Sequence, residues 1–297
     1  LYIGGISGGL ISAILLKIPG TPSSVATTFD GAPLAEKGEA GKALGVGVFF
    51  SFLGTAFSFI ALVFIAPLLA DFALMFGYFE YCAVAIFSLS LVASLVEGSL
   101  WKGLASAVIG FTLTMVGTAP IDGYPRFTFG IAALGAGFDI LPALIGFFAV
   151  TEIFEAASSA AHPEVKGKIV DFKIKGLGFT GAEFKSQIPN MIRSTLIGIG
   201  IGILPGIGGG TSNLLAYATA KNQSKYPEKF GTGIIDGVVA SETANNATIG
   251  GALIPLLSLG IPGDTTTAML LGGLTLQGVA PGPLLFAEHG EVVYSIF

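Results

Sequence analysis

Apolar residues in this chain run in blocks too long for one face of a soluble helix, and Pro-Gly steps break several of these blocks. About 20 apolar residues cross a bilayer as a helix. The pattern therefore predicts spans at Ala43–Ala70, Tyr78–Val96, Leu100–Gly117 and Asp139–Ala157. Four further stretches, Leu1–Leu16, Met191–Ala218, Ile234–Gly260 and Thr265–Val279, are apolar but interrupted by Gly, Pro or polar residues. Ala119–Pro125 and Pro281–Pro283 read as turns.

Composition strengthens this reading. Of 297 residues, 52% are hydrophobic and 11% charged, with a mean hydropathy of +0.81. A soluble domain carries about 25% charged residues, so this chain cannot cover its surface with polar groups, and it reads as an integral membrane protein. The 44 glycines fit helices packed through small residues. The single cysteine, Cys82, allows no internal disulfide. No basic stripe points to nucleic acid, no Walker A sequence to ATP hydrolysis, and no nucleophile–base pair to an enzyme. His162 and His289 stand alone, without metal-ligand spacing. The opening Leu1-Tyr2-Ile3 lacks Met and a basic leader, and the close at Ile296-Phe297 falls within an apolar run, so the chain reads as a piece of a longer protein.

Charge sets the expected topology. Ser158–Pro189 is hydrophilic, with Lys166, Lys168, Lys173, Lys175 and Lys185 against Glu164, Asp171 and Glu183. The positive-inside rule places it in the cytoplasm, together with Lys221–Lys229. Met191–Ala218 then leaves and returns on one side. It reads as a re-entrant hairpin turning near Pro205-Gly206, with one tilted span as the alternative. The expected division is 1–157, the remainder of a first repeat with connecting helices; 158–190, a cytoplasmic loop; and 191–297, a second repeat.

The breaks recur. Ile18-Pro19-Gly20, Leu204-Pro205-Gly206 and Ile261-Pro262-Gly263 each end an apolar run, and small polar residues begin the next segment. A shift of 243 residues lays Gly8–Gly20 on Gly251–Gly263 with seven identities in thirteen positions. Pro removes a backbone donor and Gly permits unusual conformations. Hydrocarbon tolerates such backbone only where protein encloses it. Repeats with matching broken helices are a sequence pointer to a transporter's binding site.

A helix start offers unpaired N–H groups and a partial positive charge, which suits a carboxylate. The expected substrate-binding residues are therefore Gly20, Thr21, Ser23, Ser24, Gly206, Gly208, Gly209, Thr211, Ser212, Asn213, Gly263, Asp264, Thr265 and Thr266, with Thr267 adding a hydroxyl. Asn245 and Asn246 join them, because adjacent amides in an apolar segment are costly unless they are used. Glu242, Asn245 and Asp264 are the ion-coupling candidates. Glu242 equally fits a carboxylate at a cytoplasmic helix entrance. Lys17 either balances substrate charge or reaches the interface. Asp30, Glu36, Lys37, Glu39 and Lys42 read as a solvated mixed-charge loop. Glu80, Glu97, Asp122, Arg126, Asp139, Glu152 and Glu155 lie near span ends.

These residues carry a resemblance. Gly8 through Gly31, Leu204-Pro205-Gly206-Ile207-Gly208, Glu242-Thr243-Ala244-Asn245-Asn246-Ala247, and Gly251–Leu256 through Gly260-Ile261-Pro262-Gly263 stand in the order found in the large membrane subunit of tripartite tricarboxylate transporters, the TctA family. The resemblance covers essentially the whole chain, without the family's first Leu-Pro-Gly motif and last C-terminal spans. Lys17 stands where the family pattern has Asn.

The resemblance implies a multi-pass protein of the bacterial inner membrane that imports carboxylates by secondary active transport. It also implies a periplasmic solute-binding protein and a small membrane subunit as partners, and no cofactor beyond Na⁺ or H⁺ as the coupling ion. An anion channel, or a transporter without a binding-protein partner, is the alternative. The expected fold is an all-α membrane protein: a polytopic helical bundle with two internal repeats, re-entrant hairpins and Pro-Gly-broken helices.

Overall fold

The computed structural model describes residues 1–80, 82–84, 86–87, 99–119, 122–138, 142–143, 146, 150, 153–154, 157 and 178–297. Most of the expected spans at 78–96 and 139–157, and the charged residues between 158 and 177, lie outside the described residues.

The described part is helical apart from two short strands. The helices are α1 (Tyr2–Leu15), α2 (Val25–Glu36), α3 (Ala40–Ala73), α4 (Leu100–Thr114), α5 (Gly181–Ile203), α6 (Gly208–Gln223), α7 (Ile235–Leu259), α8 (Thr265–Leu276), α9 (Leu285–Glu288) and α10 (Gly290–Ile296). A 3₁₀ turn at Pro22–Ser24 leads into α2. The chain forms two compact units: residues 1–74, 164–267 and 281–297 make the first, and 75–163 with 268–280 the second. In the second unit, β1 (Gly117–Thr118) pairs antiparallel with β2 (Pro125–Arg126). Across the stretch expected to turn, the Ala119 N–H donates to the Tyr124 carbonyl at 2.9 Å; residues 120 and 121 lie outside the described residues.

The first unit is built around α7. Every residue from Gly237 to Ser258 is buried, and α1, α2, α3, α5 and α6 pack around it. Small residues let the backbones approach this closely. A Cβ on Gly250 would stand 2.5 Å from the Ser58 carbonyl oxygen, and one on Gly202 2.6 Å from that of Thr248. A larger side chain at either position would push α3 or α5 away from α7.

Among the described residues, α3 is the one helix long and apolar enough to cross a membrane. At about 1.5 Å per residue, its 34 residues exceed the hydrocarbon thickness. It has two faces. Gly47, Ser51, Gly54 and Ser58, at spacings of three or four, turn inward, whereas Phe52, Phe64, Leu68 and Phe72 are more than half exposed. A stripe of exposed large apolar side chains opposite a small, partly polar stripe suits lipid outside and helix α7 inside. The shorter apolar helices α1 and α8 have 14 and 12 residues.

Two boundaries differ from the expected ones. Residues assigned to a loop through 190 are helical from Gly181. Thr180 and Glu183 form a capping box: the Glu183 N–H donates to Thr180 Oγ1 at 3.2 Å and the Thr180 N–H to Glu183 Oε2 at 2.7 Å. The surrounding charges obscured this start signal. The mixed-charge loop is also shorter than expected. Glu36, Lys37 and Glu39 are exposed at the turn, but Asp30 is fully buried on α2.

Candidate functional site

The two breaks related by the 243-residue shift have the same local geometry. After α1, the Ile18 N–H donates to the Ser12 carbonyl at 3.4 Å; after α7, the Ile261 N–H donates to the Pro255 carbonyl at 3.2 Å. Lys17 and Gly260, also related by the shift, both adopt positive φ, +61° and +70°. The next segments start alike. The Thr21 N–H donates to Ser24 Oγ at 3.2 Å and the Ser24 hydroxyl returns to the Thr21 carbonyl at 2.9 Å. The Asp264 N–H donates to Thr267 Oγ1 at 2.8 Å and that hydroxyl returns to the Asp264 carbonyl at 2.9 Å. Gly20 and Gly263 sit against the preceding helix, where a Cβ would stand 2.9 Å from Gly9 Cα and 2.7 Å from Ala252 Cα. Ser24 and Thr267, flagged as solute contacts, are thus engaged in capping.

The third break meets the other two. The Gly206 N–H donates to the Gly263 carbonyl at 2.8 Å. α5 and α6 pack on each other across 204–207 as a helical hairpin. The start of α6 then runs past both partners: a Cβ on Gly208 would lie 3.5 Å from Asp264 Cβ, and one on Gly210 3.4 Å from the Pro22 carbonyl oxygen. One on Gly209 would lie 2.6 Å from Asn245 Oδ1 and 2.7 Å from Ser23 Oγ. Asn213, one turn further along α6, donates from Nδ2 to the Ser23 carbonyl. Ser23, Gly209, Asn213 and Asn245 therefore share one place.

Polar groups there are left unpaired. Asn245 is fully buried on α7, and neither Oδ1 nor Nδ2 has a partner among the described residues. Asn213 is also fully buried, with Oδ1 unpaired among the described residues. A buried unpaired polar group costs on the order of 1–3 kcal/mol, so such groups call for an explanation. The helix starts also differ. No side chain caps α6, whereas Asp264 accepts the Thr267 N–H at 2.8 Å at the start of α8 and receives the Tyr2 hydroxyl on its other oxygen. Ser212 is committed to Thr248 Oγ1 at 2.7 Å. Gly20, Gly206, Thr211 and Thr265 are exposed, and Thr266 is half-buried.

Glu242 forms a second buried cluster. Thr27 Oγ1 donates to its Oε1 at 2.5 Å and Ser51 Oγ to its Oε2 at 2.8 Å. Asn246 Nδ2 donates to Ser51 Oγ at 2.8 Å and to the Glu242 backbone carbonyl at 3.0 Å, while the Ser7 hydroxyl donates to Asn246 Oδ1 at 2.7 Å. The carboxylate is fully buried, and among the described residues no cationic side chain pairs with it. Asn245 and Asn246 thus face different neighbours, as adjacent helical residues must. Sequence reasoning missed Ser7, Thr27 and Ser51; in Ser51 the inward spacing of small residues along α3 was the available signal.

Asp30 corrects the solvated-loop reading. Its Oδ1 accepts the N–H groups of Gly231, Gly233 and Ile234 at 2.9, 2.8 and 3.1 Å, and its Oδ2 accepts the Tyr217 hydroxyl at 2.9 Å. Charge density in the sequence pointed to solvent, but the glycine-rich approach to α7 wraps this carboxylate in donors. Lys17 pairs with Glu36 at 3.3 Å, and both side chains are more than half exposed. Arg193 donates to Gln223 at 2.9 Å and to Asn190 at 2.6 Å, away from the break residues. Among the described residues, no group of three or more His, Cys, Asp or Glu converges.

A helical bundle whose long apolar helix α3 turns large apolar side chains outward fits a helical membrane protein. The chain belongs to the tripartite tricarboxylate transporter TctA family, whose model matches residues 1–297. It is 38% identical over 296 residues to an uncharacterized 52.8 kDa protein in the TAR-I ttuC' 3' region of Agrobacterium vitis, a match covering 100% of this chain and 58% of that protein. It is 46% identical over 96 residues to an uncharacterized protein in the TAR-II ttuC' 3' region of the same organism, covering 32% of this chain and 40% of that protein. The chain thus spans little more than half the length of the first of these relatives. No solved structure matches it.

Proposed function

We propose that this chain forms the substrate path of a secondary active transporter subunit that imports a tricarboxylate or related organic acid into bacteria. Family membership supports the transporter class. The observation that carries the site is the meeting of Ser23, Gly209, Asn213 and Asn245, where residues following two breaks touch the middle of α7. In this reading the substrate carboxylate lies at the uncapped start of α6, where N–H groups and the helix dipole favour negative charge. The hydroxyl and amide groups of Ser23 and Asn245 fix its orientation.

The protein sits in the inner membrane as a multi-pass subunit. A periplasmic solute-binding protein delivers the acid, and a small membrane subunit completes the complex. The corresponding bond patterns at 17–24 and 260–267 support two related halves, with α5–α6 as a re-entrant hairpin. A cation gradient drives import, with Glu242 and Asn245 the ion-coupling groups on α7. Solute-coupled movement separates this reading from an anion channel. The test is uptake of labelled carboxylate by vesicles containing the full-length protein and its partners. Saturable, gradient-dependent uptake with counterflow supports the carrier; gradient-independent flux contradicts it.

A further inference from the structure

Away from the meeting of the breaks, α2 and α6 flank a cavity of about 600 Å³, within the size range of small-molecule sites. Lys17 and Lys221 line it together with Phe29, Tyr217 and Phe230. Gly209, Asn213, Tyr217 and Lys221 stand four residues apart and form one ridge of α6. The ridge that touches Ser23 and Asn245 at its start therefore ends about 18 Å away at a cavity lysine. Tyr217 stands between the two places. Its ring meets Phe29 at 5.3 Å and Phe230 at 5.4 Å, both edge to face, and its hydroxyl is held by Asp30.

The charges at this cavity favour an anion. An ammonium carries three donors. Lys17 uses one on Glu36 at 3.3 Å, and among the described residues no carboxylate pairs with Lys221. Neither nearby acid lines the cavity. Glu36 is more than half exposed beside Lys17, and Asp30 is buried with both oxygens taken up by donors. Among the described residues that line it, none is Leu, Ile or Val, so the walls continue into no aliphatic groove for an acyl chain.

We propose that this cavity is a second carboxylate site, in which Lys17 and Lys221 each bind one carboxylate of a small di- or tricarboxylic acid between aromatic walls. Its place on the path rests on the transport reading, but the binding itself does not. Lys221 opens the basic stretch that the positive-inside rule assigns to the cytoplasm. An acid leaving the start of α6 reaches these lysines last, and the Phe29–Tyr217–Phe230 cluster separates the two sites. Paired cations at such a mouth also concentrate the acid there, an effect that salt weakens.

The experiment acetylates purified full-length protein in phosphatidylcholine nanodiscs at low salt and follows each lysine by mass spectrometry, with and without citrate or succinate. A near-saturating acid should slow Lys17 and Lys221 about tenfold, and leave Lys225 and Lys229, which do not line the cavity, unaffected. Lys17→Gly removes one ammonium at a positive φ that glycine adopts freely. In that variant about tenfold more acid should be needed for the same protection of Lys221. Gly209→Ala crowds the start of α6 but not the cavity, so protection should persist there. Protection lost in folded Gly209→Ala overturns the proposal, as does equal slowing of Lys225 and Lys229 or no protection by either acid. Protection by phosphatidylglycerol in the nanodisc, with no further effect of the acids, also overturns it and assigns the lysines to a lipid headgroup. Protection of the two lysines without carboxylate uptake under any gradient would instead contradict the transport reading and leave the anion site standing.

Discussion

The Gly206 N–H donates to the Gly263 carbonyl at 2.8 Å, joining the break after α5 to the break after α7. Both groups lie where helices have ended, so neither has an intrahelical partner. Gly206 adopts φ +82°, and a Cβ on Gly263 would stand 2.7 Å from both Ala252 Cα and the Gly202 carbonyl oxygen. Close approach requires glycine at 263, and the left-handed backbone favours it at 206.

Gly263→Val should therefore spread α5, α7 and the second break apart. Overpacking of this kind costs about 1–3 kcal/mol. The expected outcome is a lowered thermal midpoint in detergent and loss of most carboxylate uptake, with normal membrane insertion. Unchanged uptake at normal expression would show that the meeting of the breaks is irrelevant to transport.

Lys17→Gly should leave stability unchanged or raise it. Lys17 holds φ +61°, like Gly260 at the corresponding place. Left-handed backbone costs a side-chain-bearing residue about 1–2 kcal/mol. The Lys17–Glu36 pair it would lose is exposed on both sides, and such pairs contribute about 0–1 kcal/mol. Thermal midpoints of the two proteins check this; a clear fall in the glycine variant would contradict the shared-turn geometry.

Asp30→Ala should be among the most damaging changes outside the break residues. It leaves the N–H groups of Gly231, Gly233 and Ile234, and the Tyr217 hydroxyl, without their acceptor. Bonds to a buried charge are worth about 1.5–3 kcal/mol each at most, so a loss on the order of 3 kcal/mol is expected. Limited proteolysis should then cut between residues 224 and 234 faster than in the wild-type protein.

Some of this was legible in the residues and some was not. The breaks showed because Pro-Gly within apolar sequence is locally encoded, and the ends of α1 and α7 lie where those triplets put them. Asn245 was identifiable because an amide in a Gly/Ala-rich segment is costly wherever it points. Asp30 was not, since its donors come from residues 231–234, some 200 positions away, and charge density suggested solvent instead. Ser7 and Thr27 were hidden for the same reason: a hydroxyl in an apolar helix is too common to announce a distant carboxylate.

Acid should weaken the join between α3 and α5. Lys42 Nζ lies 2.5 Å from Glu183 Oε1, in the polar turn ahead of the apolar stretch that begins at Met191. The hydrogen bond from Lys42, then that from the Thr180 N–H, holds the Glu183 carboxyl down at about 2, against an ordinary value of 4.5. A folded-state value below the unfolded one adds stability that is present above about 4.5 and fades as pH falls toward 2. The side chains are roughly a third exposed, so the contribution is at most about 1 kcal/mol. Lys42→Ala should flatten that part of the stability–pH profile.

The central claim is that a transported carboxylate binds where Ser23, Gly209, Asn213 and Asn245 meet. Its most direct test is gradient-driven uptake of labelled acid by the full-length protein with its partners, comparing wild type with Gly209→Ala. One added methyl group there would lie 2.6 Å from Asn245 Oδ1 and 2.7 Å from Ser23 Oγ. The account predicts that this single methyl lowers uptake at least about tenfold, equivalent to 1.4 kcal/mol, while the protein remains folded and inserted. Wild-type uptake by a folded Gly209→Ala protein would contradict it.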